Sequence, residues 1–158
     1  MKKNIRLILL GEVLLFIAVF AFTMIMGGEG FSALLWFIDI PSLVIILMVL
    51  IPGLLIMGVW KDFVKAFSVG IRPYSLLELK NIINALDAAQ KLTVFAALFA
   101  VIISAVQLMG RLDDLSSFGP RLAVCFLSGL YAVTAEFILL PLRLNAERQM
   151  NEEMDLGE

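Results

Sequence analysis

Long apolar runs alternate with short polar interruptions along this chain, and the interruptions set the elements. About 20 apolar residues carry a helix across a lipid bilayer, and four runs meet that length: roughly 6–27, 41–60, 92–110 and 121–142. The polar intervals are unequal, 28–40 and 111–121 being short and 61–91 long. Within the long interval, Ser75 and Glu78 have capping-box spacing, in which each side chain satisfies an N–H of the first helical turn. Leu76, Leu79, Ile83, Leu86 and Ala89–Gln90 then recur at helical spacing. No Pro or Gly separates this cytoplasmic helix, about 75–91, from the third run. One helix from about 75 to 110 is therefore predicted, roughly 54 Å long. The pattern predicts an all-α integral membrane protein with four transmembrane helices, the third extended into the cytoplasm. Residues 1–144 form the transmembrane domain, and the acidic tail 145–158, NAERQMNEEMDLGE, is expected to fray.

The stretch FIDIPSL, 37–43, interrupts an otherwise apolar region. Pro41 suits the first turn of a helix, where its missing N–H costs nothing. Asp39 just ahead can accept the free N–H groups of that turn and favours the positive helix end. The motif divides an interfacial stretch, 31–40, from the second span. Pro52 lies inside that span and frees the carbonyl of Met48, so a kink is expected there.

Composition sharpens the membrane reading: 61% of the 158 residues are hydrophobic, 16% are charged and none is histidine, more apolar than a soluble domain. The N-terminal run is too long for a signal peptide and contains Glu12, so it reads as a retained helix. Basic residues set the orientation. Lys2, Lys3 and Arg6 precede the first span, Lys61, Lys65, Arg72, Lys80 and Lys91 fall between the second and third, and Arg143 and Arg148 follow the fourth. Both termini and the middle interval are predicted to be cytoplasmic. The single Cys125 excludes an intrachain disulfide. No basic patch points to nucleic acid, and no nucleophile–base pair, metal cluster or phosphate loop points to an enzyme; no cofactor is expected.

Polar and small residues recur on single faces of two spans. In the third, Thr93, Ala97, Ala100, Ser104 and Gln107 step by four, three, four and three; in the fourth, Cys125, Gly129, Ala132 and Glu136 share a face. Such seams serve close helix packing or line a watered path. Two acids fall inside spans, Glu12 about 9 Å along its helix from Arg6 and Glu136 a similar distance from Arg143. A carboxylate at membrane depth is costly and a candidate for function, unless it snorkels to the cytoplasmic surface.

Four stretches carry a likeness to a known family: Gly27-Gly28 with Gly30; FIDIPSL followed by VIIL; DLSSFGPRLAV, 114–124; and LYAVTAEFILLPL, 130–142. The chain resembles the MotA branch of the MotA/TolQ/ExbB family, the membrane subunits of flagellar stators and related proton-driven machines. The resemblance implies an inner-membrane homo-oligomer, a pentamer, around a single-span MotB/ExbD/TolR-like partner. It implies that the third and fourth spans line the inside, through Thr93, Ala97, Ala100, Ser104, Gly129, Ala132 and Glu136. It further implies that protons pass to an aspartate on the partner, and that Arg72 and Glu78 belong to the first charged cytoplasmic helix. The chain departs from the family pattern at Met48, Val49 and Leu50, where Gly-Gly-Thr is usual, at Val94 for a proline, at Gly129 for a threonine and at Glu136 for an asparagine. Its cytoplasmic interval is cut to about thirty residues. Two functions follow: a minimal channel subunit, or a non-conducting accessory factor that binds and stabilises stator subunits.

Overall fold

The computed structural model describes residues 5–28, 37–110 and 115–155, and within them the chain is helical almost throughout. In order the elements are α1 (Ile5–Gly27), α2 (Ile40–Ile56), α3 (Trp60–Ala66), α4 (Leu76–Met109) and α5 (Leu115–Asp155). Three of them, α1, α4 and α5, are long and apolar enough to cross a membrane, and α2 with α3 makes a fourth candidate if that bent pair is one span. The interfacial stretch expected at 31–40 lies largely outside the described residues.

α2 begins as its residues dictate. The Asp39 carboxylate accepts the Ser42 N–H at 3.0 Å, and Pro41 sits in the first turn, where no N–H is needed. Its far end differs from the expected 41–60 span. The helix stops at Ile56, Gly58 adopts a φ of +73°, and α3 departs at 113° to α2. Glycine reaches that torsion without the Cβ strain of other residues, so the turn falls at Gly58. Trp60 therefore starts α3 rather than ending the second span. With 17 residues α2 is still about 26 Å long, close to the hydrocarbon thickness of about 30 Å.

α4 is one unbroken helix of 34 residues, roughly 51 Å, opened by the capping box: Ser75 N–H donates to Glu78 Oε2 at 3.1 Å, and Glu78 N–H donates to Ser75 Oγ at 3.4 Å. α5 runs antiparallel beside it, Arg121 reaching the Gln107 carbonyl at one end and Glu136 meeting Gln90 further along.

α5 is longer than expected. The fourth span was placed at 121–142 with a fraying tail, yet one helix of 41 residues passes through Pro120 and Pro141 to Asp155. Tertiary partners hold its last turns. Asn145 donates to the Val69 carbonyl at 3.2 Å, Gln149 accepts the Gly70 N–H at 3.2 Å, and Ala146 is fully buried.

The helices share two cores. At the end formed by α3, the start of α4 and the end of α5, Leu54, Ala66, Val69, Leu79, Ile82, Leu86 and Leu142 are all fully buried. Further along the pair, a smaller core joins Ile46 of α2, Ala96 and Ala97 of α4, and Ala132 of α5. α1 lies at the edge and meets the rest through aromatic contacts, Phe16 against Phe137 with centroids 5.7 Å apart and Phe20 against Phe37 at 5.2 Å.

Candidate functional site

The membrane-apolar part of the bundle contains few polar side chains, so their partners can be followed one by one. At the start of α2, the Tyr131 hydroxyl of α5 donates to the Phe37 carbonyl at 2.8 Å and accepts the Asp39 N–H. Three residues earlier on the same face, Ser128 hydrogen-bonds Ser42 at 2.9 Å, and both side chains are buried. Asp39 and Pro41 thus start a helix, and α5 clamps that start in place. Neither Ser128 nor Tyr131 was singled out in the sequence, although a Ser and a Tyr spaced by three in an apolar run share a helix face.

A second polar chain links α4 to α5. Gln90 donates through Nε2 to Glu136 Oε2 at 2.8 Å and accepts at Oε1 from Arg143 at 3.5 Å. Arg143 is itself bound to Asp87 at 2.8 Å and to Glu147 at 2.9 Å. The carboxylate of Glu136 is therefore tied to the charged end of the pair through an amide rather than through direct contact with Arg143. Its second oxygen, Oε1, is buried without a hydrogen-bond partner.

Of the residues placed on a pathway by resemblance, Ala97, Gly129, Ala132 and Glu136 line one cavity of about 540 Å³ between α1, α4 and α5. Glu12 of α1 lines it too, and its Oε2 is also buried without a partner. Thr93, Ala100 and Ser104 do not line this cavity. Thr93 and Ala100 are fully buried in the helix packing, Thr93 with its hydroxyl unpartnered, and Ser104 is half-buried. The alanine seam therefore meets α2 and α5 of its own chain, and covering it takes no second copy. Cys125 is half-buried.

The two residues expected to serve cytoplasmic interaction differ. Arg72 is exposed in the turn after α3. Glu78 is committed to the cap of α4 and lies 3.7 Å from Lys65, which pairs with Asp62 at 3.0 Å. Hydrogen bonds from the Ser75 N–H and hydroxyl, and the nearby Lys65 ammonium, hold the Glu78 carboxyl below its usual value. The hydrogen bond to Asp62, with the Asp62, Glu78 and Tyr74 charges behind it, holds Lys65 above its own. Among the described residues no group of three His, Cys, Asp or Glu side chains converges to hold a metal ion.

Chemically, this arrangement places one carboxylate oxygen held by an amide and a second, unpartnered one at the wall of a mostly apolar cavity. In comparisons with known proteins, no family model matches the chain, and neither the curated proteins nor the solved structures yield a match.

Proposed function

We propose that the chain is a MotA-like membrane subunit of a proton-driven stator or channel complex, forming a ring around a single-span MotB/ExbD/TolR-like partner. One observation supports this above the others: two of the stretches that carry the resemblance bind each other. FIDIPSL contributes Asp39 and Ser42, and the segment at and just before LYAVTAEFILLPL contributes Tyr131 and Ser128. Glu136, from the same stretch, adds a carboxylate with a free oxygen at a cavity wall. In this reading the chain crosses the bacterial inner membrane four times with both termini inside, and α3, the first turns of α4 and the last turns of α5 stand in the cytoplasm. The distribution of Lys and Arg supports that orientation. A cysteine placed at Ser116 then reacts with an impermeant thiol reagent on intact cells, and one at Asn151 does not.

The alternative is a non-conducting accessory or assembly factor that binds stator subunits. The burial of Thr93, Ala97 and Ala100 inside one chain favours it, because those side chains then leave little polar wall for a path. The deciding experiment is native mass spectrometry of the chain co-expressed with a single-span protein bearing an intramembrane aspartate. A ring of five copies with the partner inside is expected. Monomers alone overturn the ring, and capture of a separate, larger stator subunit in place of a ring favours the accessory function.

A further inference from the structure

The end of the bundle that carries α3 buries its large aliphatic side chains, yet the outer side of α3 departs from that rule. Ala66 is fully buried and Phe63 packs on the core, whereas Val64 is 50% exposed, Phe67 45% and Ile71, in the turn that follows, 48%. Viewed down a helix axis, Val64 and Phe67 fall on either side of Trp60, so the three form one apolar strip, and Lys61 flanks it. Lys61 and Arg72 are exposed and enter no ion pair among the described residues. Lys65, by contrast, is taken by Asp62 and Glu78.

The turn at Gly58 sets the level of this strip. α2 matches the hydrocarbon thickness in length, so its end at Ile56 falls near the edge of the hydrocarbon. Ile56 and Met57 are largely exposed, as lipid-facing residues are. α3 begins four residues after Ile56 and departs at 113° to α2. A span tilts by about 20° on average, so α3 runs nearer to the membrane plane than to its normal. The strip therefore takes up where the lipid-facing residues of α2 end, at the level of the headgroups. A helix lying in the plane, with an apolar side that includes Trp and a basic flank, is the pattern that a bilayer interface holds. The Lys and Arg distribution puts α3 on the cytoplasmic side, where the leaflet carries anionic lipids that attract exposed basic groups.

We propose that α3 and the turn after it form a docking surface for the anionic headgroups of the cytoplasmic leaflet. Trp60, Val64 and Phe67 enter the interface, and Lys61 and Arg72 pair with lipid phosphates. This inference rests on α2 being a span, as in the proposed function, and is independent of the ring and of ion flux.

The test uses the full chain carrying Cys125→Ser, in nanodiscs of phosphatidylcholine alone or mixed with phosphatidylglycerol. A nitroxide is attached at Val64→Cys, Met48→Cys or Asn151→Cys, and its collisions with oxygen, which concentrates in lipid, and with a water-soluble nickel chelate report its depth. Met48 lies mid-way along α2 and is exposed, so oxygen dominates there, and nickel dominates at Asn151. At Val64 the nickel collision rate is expected severalfold below that at Asn151 in the anionic nanodiscs, and higher when phosphatidylglycerol is omitted. With Lys61→Gln and Arg72→Gln together, exposed positions whose change retains the fold, the two compositions should give the same, higher rate. A Val64 rate equal to that at Asn151, with Met48 embedded, overturns the docking alone. Met48 open to nickel overturns it together with the span on which it rests. Equal shielding in both lipids, unchanged in the double variant, overturns the recognition of anionic headgroups. A Val64 nitroxide shielded from oxygen and nickel alike overturns the lipid in favour of a second copy or a protein partner on α3.

Discussion

The two ends of the α4–α5 pair are built by different rules. At the end covered by α3, the core resembles that of a water-soluble protein: large aliphatic side chains such as Leu54, Leu79, Leu86 and Leu142 are fully buried, and charged groups form pairs around them. Along the apolar end, Phe95, Phe99, Ile102 and Phe126 are more than half exposed, while alanines and serines occupy the interior. Water drives large apolar groups inward, whereas lipid tails solvate them as well as the interior does. Close approach of small residues and a few hydrogen bonds then hold the helices. Exposed aliphatic area at one end and buried aliphatic area at the other is the pattern expected of a bundle standing partly in lipid and partly in water.

That contrast breaks most readily at the α3 end. Leu142→Ala leaves a cavity among Leu54, Leu86 and Leu139 and should cost about 2–5 kcal/mol, seen as a large fall in the unfolding midpoint in mild detergent. A loss as small as that of a surface substitution would mean that this end is not a packed core.

The clamp between α2 and α5 comes next. Ser128→Ala leaves the buried Ser42 hydroxyl without its partner and should cost about 1–2 kcal/mol, whereas replacing both serines by alanine should cost less than the single change. A double variant weaker than the single would show that the hydroxyls contribute more than their mutual satisfaction.

A smaller effect attaches to the cap of α4, and it carries a pH sign. The folded state holds Glu78 below its ordinary value, so its contribution is present above that value and is lost as pH falls through the depressed one. Lys65 is held above its ordinary value, so its contribution is present below that value and is lost as pH rises through the elevated one. Ser75→Ala should therefore lower the unfolding midpoint at neutral pH by less than Leu142→Ala, and the difference from the unmutated chain should shrink in strong acid. A difference independent of acid would detach the Glu78 charge from the cap.

The smallest effect is expected on the lipid side. Phe126 is 72% exposed, and Phe126→Ala should change stability by no more than about 0.5 kcal/mol. A loss comparable to that of Leu142→Ala would place Phe126 in a buried contact, against another copy or a partner helix.

What could be read in the chain beforehand was local. The start of α2 at Asp39 and Pro41, and the cap at Ser75 and Glu78, depend on residues within one turn, so their chemistry is written in adjacent letters. The break at Gly58 was less legible. A glycine in an apolar run is compatible with a straight span, and its torsion is set by how Val59, Trp60 and Phe63 pack onto the first core. The helical tail was hidden for a similar reason. NAERQMNEEMD is polar and acidic, and it stays ordered because Asn145, Ala146 and Gln149 find partners around Val69 and Gly70. The candidate site was half visible: spacing on α5 placed Gly129, Ala132 and Glu136 on one face, but only the fold brings Glu12 to them and inserts Gln90 between Glu136 and Arg143.

In the proposed function Glu136 is the working group of a proton-driven complex, and proton flux tests that most directly. Liposomes containing the chain with the proposed single-span partner should take up protons under an imposed membrane potential. Glu136→Gln, which keeps the side-chain shape and removes the charge, should leave the assembled complex intact and lower the flux at least tenfold. Equal flux from the Gln variant would contradict the account, and an intact unmutated complex that passes no protons would assign the chain to the accessory function instead.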